Sequence, residues 1–268
     1  MLIEQFGSDL SVQCASYLSC ALYFLGFADQ AQGLSRQMLL QAREMDHPHT
    51  LVQALVFASL LQRWLNRPDE ALGLSAEAIV LARQHDLPFW LACGLMAHGG
   101  ALVRLGQSER GVAEHQSGVA GMPVGMGGVS VMVAASVIDT QVYLNRHDEA
   151  LRLIAQAQAE EAKTGDGHYS AELYRLKGEC LRALSPLNAA EAEACFAQAL
   201  AISRKQQAKS FELRAATSMA RLWRQQGRHE DARCILEGIY SWFTEGFDTH
   251  DLQEAAADVR YGATNLQV

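Results

Sequence analysis

A small residue returns about every forty positions along this chain. Ala31, Ala71, Gly111, Ala150, Ala192 and Ala232 are separated by 40, 40, 39, 42 and 40 residues. Self-similarity at such a period is the mark of a repeat architecture, in which one supersecondary unit is copied and stacked on its neighbours. A turn precedes every marker: Gly-Phe-Ala-Asp at 26–29, Asn-Arg-Pro-Asp at 66–69, Gly-Gln-Ser-Glu at 106–109, Asn-Arg-His-Asp at 145–148, Ser-Pro-Leu-Asn at 185–188 and Gly-Arg-His-Glu at 227–230. Gly or Asn takes the left-handed conformation that ends a helix, and Asp or Glu favours the start of the next one. Seven residues before the turn lies a second small residue, Ser19, Ser59, Gly99, Gly178 or Ala220, with Ile138 the exception. Two small residues facing each other across a hairpin allow two helices to approach closely.

One complete unit can be read from residues 171–199, AELYRLKGECLRALSPLNAAEAEACFAQA. Leu173, Leu176, Cys180 and Leu184 recur at spacings of three and four with Gly178 on the same side, the pattern of a helix burying one stripe. The Ser-Pro-Leu-Asn turn breaks that pattern. Ala192, Phe196 and Ala199 then follow at offsets of four and three, so two small residues and one large knob face the partner helix.

The expected fold is therefore all-α: an α-solenoid of about six hairpins like those of tetratricopeptide repeats (TPR), with a period near 40 and both helices about a turn longer than in the 34-residue unit. The repeats are placed at about 10–46, 47–86, 87–124, 125–166, 167–207 and 208–242, with a capping segment at 243–262. A hairpin of this kind cannot bury its stripe alone, so residues 1–268 are expected to form a single solenoid domain. Trp242, Phe243, Phe247 and Leu252 are the candidates to cover the last apolar face. Residues 1–9 are too short for a whole second helix of an earlier pair, which implies that something preceded the first hairpin in a parent protein. Residues 121–128, GMPVGMGG, are the one strong interruption. They read as a connection between the third and fourth pairs rather than a phosphate cradle, because the GK[ST] ending of a P-loop is missing.

Composition narrows the function. A formal net charge of -8 and a pI near 5.6 oppose nucleic-acid binding, which needs clustered positive charge. Six cysteines without CxxC pairs sit mostly at apolar helical positions, as expected of a reduced, cytoplasmic protein. No apolar run is long enough to span a membrane. The nine histidines form no HxxxH or HExxH pair, and no GxSxG elbow accompanies the serines. No catalytic residue, metal site or cofactor is therefore assigned.

The blocks AELYRLKGE (171–179), AEACFAQAL (192–200), AKSFELRAATSMARLWRQQG (208–227) and WFTEGFDTHDLQEA (242–255) resemble the C-terminal TPR region of large bacterial signalling proteins. These join a class III adenylate/guanylate cyclase domain, or another effector, to an AAA-like STAND ATPase and a helical-repeat arm. FGSDLSVQCASYLSCALYFLGFADQA (6–31) is similar to the first repeat of that region. The chain departs from the family at 121–128, where the family continues a longer helix. Cyclase and ATPase motifs do not occur in it. The resemblance implies a sensing or binding arm belonging to, or related to, a larger switch.

In TPR-like solenoids the first helices line the inner face, at positions six before, three before, one after and four after the small residue. Carried over, this geometry selects Gln13, Ser16, Cys20 and Tyr23, then Gln53, Val56, Leu60 and Arg63, then Cys93, Met96, Gly100 and Val103, which are mostly neutral or apolar. In the fifth and sixth repeats it selects Glu172, Arg175, Glu179, Arg182, Arg214, Thr217, Arg221 and Arg224, five arginines against two glutamates. One reading pairs these charges with each other in a solvated network. The other assigns the excess arginines, whose guanidinium forks suit carboxylates, to a protein or peptide partner that is acidic or an intramolecular segment. The expected function is a non-catalytic protein-binding arm. The alternative is a small-molecule sensor in which the apolar half and the 121–128 loop close round a metabolite.

Overall fold

The structure, a computed structural model, describes residues 8–123, 127–165 and 167–264. Among these residues no strand occurs. There are thirteen helices: α1 (Leu10–Leu25), α2 (Ala28–Glu44), α3 (Pro48–Trp64), α4 (Pro68–Gln84), α5 (Pro88–Arg104), α6 (Ser108–Ala120), α7 (Gly127–Tyr143), α8 (His147–Thr164), α9 (Ser170–Leu184), α10 (Ala189–Gln206), α11 (Lys209–Gln225), α12 (His229–Tyr240) and α13 (His250–Thr264). A 3-10 turn, Pro186–Asn188, joins α9 to α10. The helices form two compact units. The first holds α1 up to Tyr23 and the chain from Phe27 through α6, and the second holds α7 to α13. Each is a stack of TPR-like hairpins packed in sequence order, with α13 against α11 and α12 in the second. The division falls in the glycine-rich interruption. Residues 124–126 of that stretch, and with them the choice between a connection and a cradle, lie outside the described residues, as do residues 1–7.

All six markers are buried in the second helix of their hairpins. In α3/α4 the two small residues meet directly, Ser59 Oγ donating to the Ala71 carbonyl at 2.9 Å. In α5/α6 the backbones themselves touch. A Cβ added to Gly99 would stand 2.5 Å from the Gly111 carbonyl oxygen, and one added to Gly111 would stand 2.6 Å from the Gly99 oxygen. In α9/α10 the knob is Phe196, fully buried, with ring atoms 2.5 Å from where a Gly178 Cβ would be. The α7/α8 pair inverts the arrangement. Ile138, the exception in the sequence pattern, is buried beside Ala150 and Ile154, so the large residue sits on the first helix and the small one on the second.

The turns explain why the repeat is regular. Gly26, Asn66, Gly106, Asn145 and Gly227 are left-handed, as the pattern predicts. After each, the next amide reaches back to close the helix. Arg67 N donates to Gln62 O, Gln107 N to Leu102 O and Arg146 N to Gln141 O, all at 2.9 Å. This six-to-one bond occupies a carbonyl the helix end would leave bare. The fifth turn differs because Ser185 is extended, and its Oγ accepts from Leu187 N at 3.2 Å as the chain enters the 3-10 turn. Pro48, Pro68 and Pro88 begin α3, α4 and α5, where a missing N–H has no helical partner to lose.

Of the predicted capping residues, Phe243 and Leu252 are buried with Ala255 in the core of the second unit. Trp242 and Phe247 remain exposed, a correction to the expectation that all four cover the last face. Phe247 lies tilted against Tyr240, with ring centres 6.0 Å apart.

Gly178→Ala is expected to destabilise the protein by roughly 1–3 kcal/mol through overpacking. Adding Phe196→Leu should recover part of the loss, since the obstacle is a side chain. Ala199→Leu, at another fully buried position of the same core, should cost a similar amount. Gly99→Ala meets backbone on the facing helix and should find no such rescue from trimming a neighbour. Urea denaturation of the four variants checks this order.

Candidate functional site

The eight residues selected from the fifth and sixth repeats lie on α9 and α11, and the structure gives each charged one a partner. On α9, the Arg175 fork holds Glu172 through Nε–Oε2 and Nη2–Oε1 bonds of 2.8 and 2.7 Å. Two turns on, Arg182 donates to Glu179 Oε2 at 3.1 and 2.7 Å. These are i,i+3 pairs along one helix face. Arg214 of α11 bridges further, lying 3.5 Å from Glu172 Oε1 on one side and donating to Asp251 Oδ2 of α13 at 2.7 Å on the other. Arg221 pairs with Glu254, and Arg224 reaches Asp258 Oδ2 at 2.6 Å and its carbonyl oxygen at 3.3 Å.

The three arginines in excess of the α9 glutamates are therefore met by three acids of α13. This corrects the expectation that only Glu172 and Glu179 neutralise the stripe. Asp251, Glu254 and Asp258 stay hidden in the sequence as long as residues 243–262 count as a cap rather than as a further first helix. A signal was present. Counting the same offsets from Ala257 selects Asp251, Glu254 and Asp258. Thr217 stands apart from the charges, buried and with its hydroxyl donating to the Leu213 carbonyl at 2.9 Å.

Burial and charge oppose each other at this site, and charge prevails. Burial pushes the Glu172 carboxyl up, but Arg175 and then Arg214 hold it below its ordinary value of 4.5. Glu179 is likewise raised by burial and lowered further by the charges of Arg175 and Arg182. For Asp251, Arg214 and His250 outweigh burial and bring the carboxyl well below its ordinary 3.8. For Arg221 the balance runs the other way, with burial lowering its pKa. All five arginines are partly buried.

In the first unit the same offsets select a different surface. Ser16 donates to the Val12 carbonyl and contacts the Met38 sulfur of α2. Val56 clusters with Ala78 and Ala82 of α4. Met96 would collide with a Cβ on Gly118 of α6, and Val103 with one on Gly111. These positions lie between the two helices of a hairpin rather than on an open lining. Crossings this close draw the residues three or four places from the small residue into the contact. At equivalent places in α9 and α11, arginine stems are long enough to carry their charge out of the contact.

Among the described residues no group of three His, Cys, Asp or Glu side chains is placed to hold a metal ion. No described helix is long and apolar enough to cross a membrane. The cysteines are unpaired, with Cys180 and Cys195 buried and Cys14 and Cys234 exposed.

No family model matches the chain and no curated protein matches its sequence. Among solved structures it is similar to the apo form of RapI, at 11% identity and a TM-score of 0.63, covering 93% of this chain and 84% of that one. A thermophilic TPR protein of Thermus thermophilus matches at 18% identity and a TM-score of 0.39, covering 96% and 100%. TPR-like repeats of a putative kinesin light chain of Podosopora anserina match at 15% identity and 0.34, covering 86% and 93%. At 11% identity the likeness to RapI concerns the fold alone.

The depressed carboxyls set a pH dependence. Each contributes stability that is fully present above its ordinary value and is lost as pH falls through its folded value. Thermal melts from pH 6 to pH 2 should therefore show a falling midpoint below about pH 4. The Asp251→Asn variant should melt lower than the parent at pH 6, and the difference should shrink towards pH 2.

Proposed function

We propose that the chain is a non-catalytic helical-repeat arm that binds a protein segment, and that the segment is an acidic amphipathic helix. The receiving surface is the stripe of Glu172, Arg175, Glu179, Arg182, Arg214, Thr217, Arg221 and Arg224. The observation supporting this is α13 itself, a helix of the same chain whose acids at i, i+3 and i+7 answer three arginines of α11 while Leu252 and Ala255 are buried. Guanidinium forks grip carboxylates with direction as well as charge. The helix α13 is held by ion pairs and a short apolar face, and contacts of that kind open locally before those of a deeply buried hairpin do. An acidic helix of a partner, or of another part of the same polypeptide, then takes the place of α13. The resemblance to the repeat arms of cyclase and STAND ATPase signalling proteins supports the wider reading, in which this exchange reports a bound partner to an effector domain.

A labelled synthetic peptide of residues 249–262 is the probe, added to the full chain. Replacing Asp251 and Glu254 by Lys loosens the resident helix, so this variant should bind the peptide more tightly than the parent. Adding Arg214→Ala and Arg221→Ala should weaken that binding by about tenfold or more, and salt should weaken it in every variant. Binding indifferent to the arginines and to salt would contradict the reading. The effector context is tested separately by the mass of the polypeptide carrying this region in its own cell. One far longer than 268 residues with a nucleotide-binding domain supports it, and one of this length alone contradicts it.

A further inference from the structure

The first helix carries an apolar stripe that its counterparts bury. Counted from the small residue of each first helix, Cys14, Tyr17, Leu18, Ala21 and Leu25 of α1 correspond to Ala54, Phe57, Ala58, Leu61 and Leu65 along α3 and just beyond its end. All five of the latter are buried. On α1, by contrast, Tyr17 is 59% exposed and Leu18 is 53% exposed, and Cys14, Ala21 and Leu25 are exposed as well.

What covers the stripe elsewhere is consistent. Ala54 and Ala58 of α3 cluster with Met38 and Ala42 of α2, the second helix of the hairpin before. At the place of Ala54, α5 has Gly94, whose added Cβ would lie 3.1 Å from Ile79 Cγ1 and 3.9 Å from Ala78 Cβ of α4. In the second unit Leu173 of α9 clusters with Ile154 and Ala157 of α8. The aromatic rungs point the same way. Trp90 faces Phe57 with ring centres 6.4 Å apart, Phe57 faces Tyr17 at 5.0 Å, and Tyr17 leaves its far side to solvent.

We propose that this stripe on α1 is an interaction surface that receives the second helix of a further helical hairpin, seated as α2 is seated on α3. Continuity with the interfaces already formed selects this occupant. A second copy of the chain fits less well, because the stripe runs only about 16 Å along the helix. One helix face of that length falls well short of the roughly 800 Å² per partner of a standard stable interface. A hairpin joined to the same polypeptide avoids that requirement, since its docking is intramolecular. The inference does not depend on the arginine stripe or its partner.

The test is an extended chain in which residues 1–7 are replaced by a copy of residues 47–87, so that Leu87 of the copy leads into Ser8 as it leads into Pro88 in the protein. Three results are expected. Alkylation of the Cys14 thiol slows by about tenfold or more, while Cys234, exposed on α12, reacts as before. Hydrogen exchange of the α1 amides slows to a similar degree. Leu18→Asp lowers the melting temperature of the extended chain but leaves that of the original chain nearly unchanged. Unaltered Cys14 labelling, a copy whose own amides stay unprotected, or an equal effect of Leu18→Asp in both chains would overturn the proposal. So would a concentration-dependent dimer of the original chain that Leu18→Asp disperses, since the occupant would then be a second copy.

Discussion

Close contact between the two helices of each hairpin is the constraint on which the rest depends. Where Gly99 meets Gly111, backbone rests on backbone, and where Ser59 meets Ala71 a hydroxyl bonds the facing carbonyl. A crossing that tight fixes which residues point between the helices and which point to the neighbouring hairpin. It also turns the residues three and four places away inward, as Met96 and Val103 illustrate. Because each hairpin has apolar faces beyond its own crossing, it is completed only by its neighbours, and stability is built by nearest-neighbour contacts.

That dependence on neighbours links the two surfaces of interest. At α13 the neighbour contact is made with charge: arginines on α11 meet acids on the next helix, and Glu172, Arg214 and Asp251 connect three helices in a row. At α1 the corresponding face is apolar and exposed. The two surfaces thus differ in chemistry. One is closed by ion pairs that salt and acid weaken, and the other presents a hydrophobic stripe whose burial is insensitive to both.

Much of the fold was legible because the repeat is enforced by residues with few substitutes. A left-handed helix end selects Gly or Asn, and five of the six hairpin turns were read correctly from that alone. The turns between hairpins were less visible, since Asp86 and Gln207 take the same conformation without the usual residue type. Ile138 broke the small-residue rule because its hairpin moves the bulk to the other helix, and pattern matching against a fixed position does not register such an exchange. At the candidate site the arginines follow the repeat offsets, whereas their partners lie beyond the six repeats. Three acids on one face of the last helix are legible only once that helix is indexed as part of the array rather than as a lid. The offsets that found the arginines failed in the first unit for a physical reason. Short side chains at those places stay inside the hairpin contact, and only long charged ones emerge from it.

The claim that ties these observations together is that the charges of α9, α11 and α13 act on one another across helices. A double-mutant cycle on Arg214 and Asp251 measures it most directly, using Arg214→Ala, Asp251→Ala and the double variant in urea denaturation. A coupling between about 0.5 and 3 kcal/mol is expected, diminished at pH 2, where the Asp251 carboxyl is protonated in the unfolded chain and folding must ionise it. Additive effects of the two substitutions at neutral pH would contradict it.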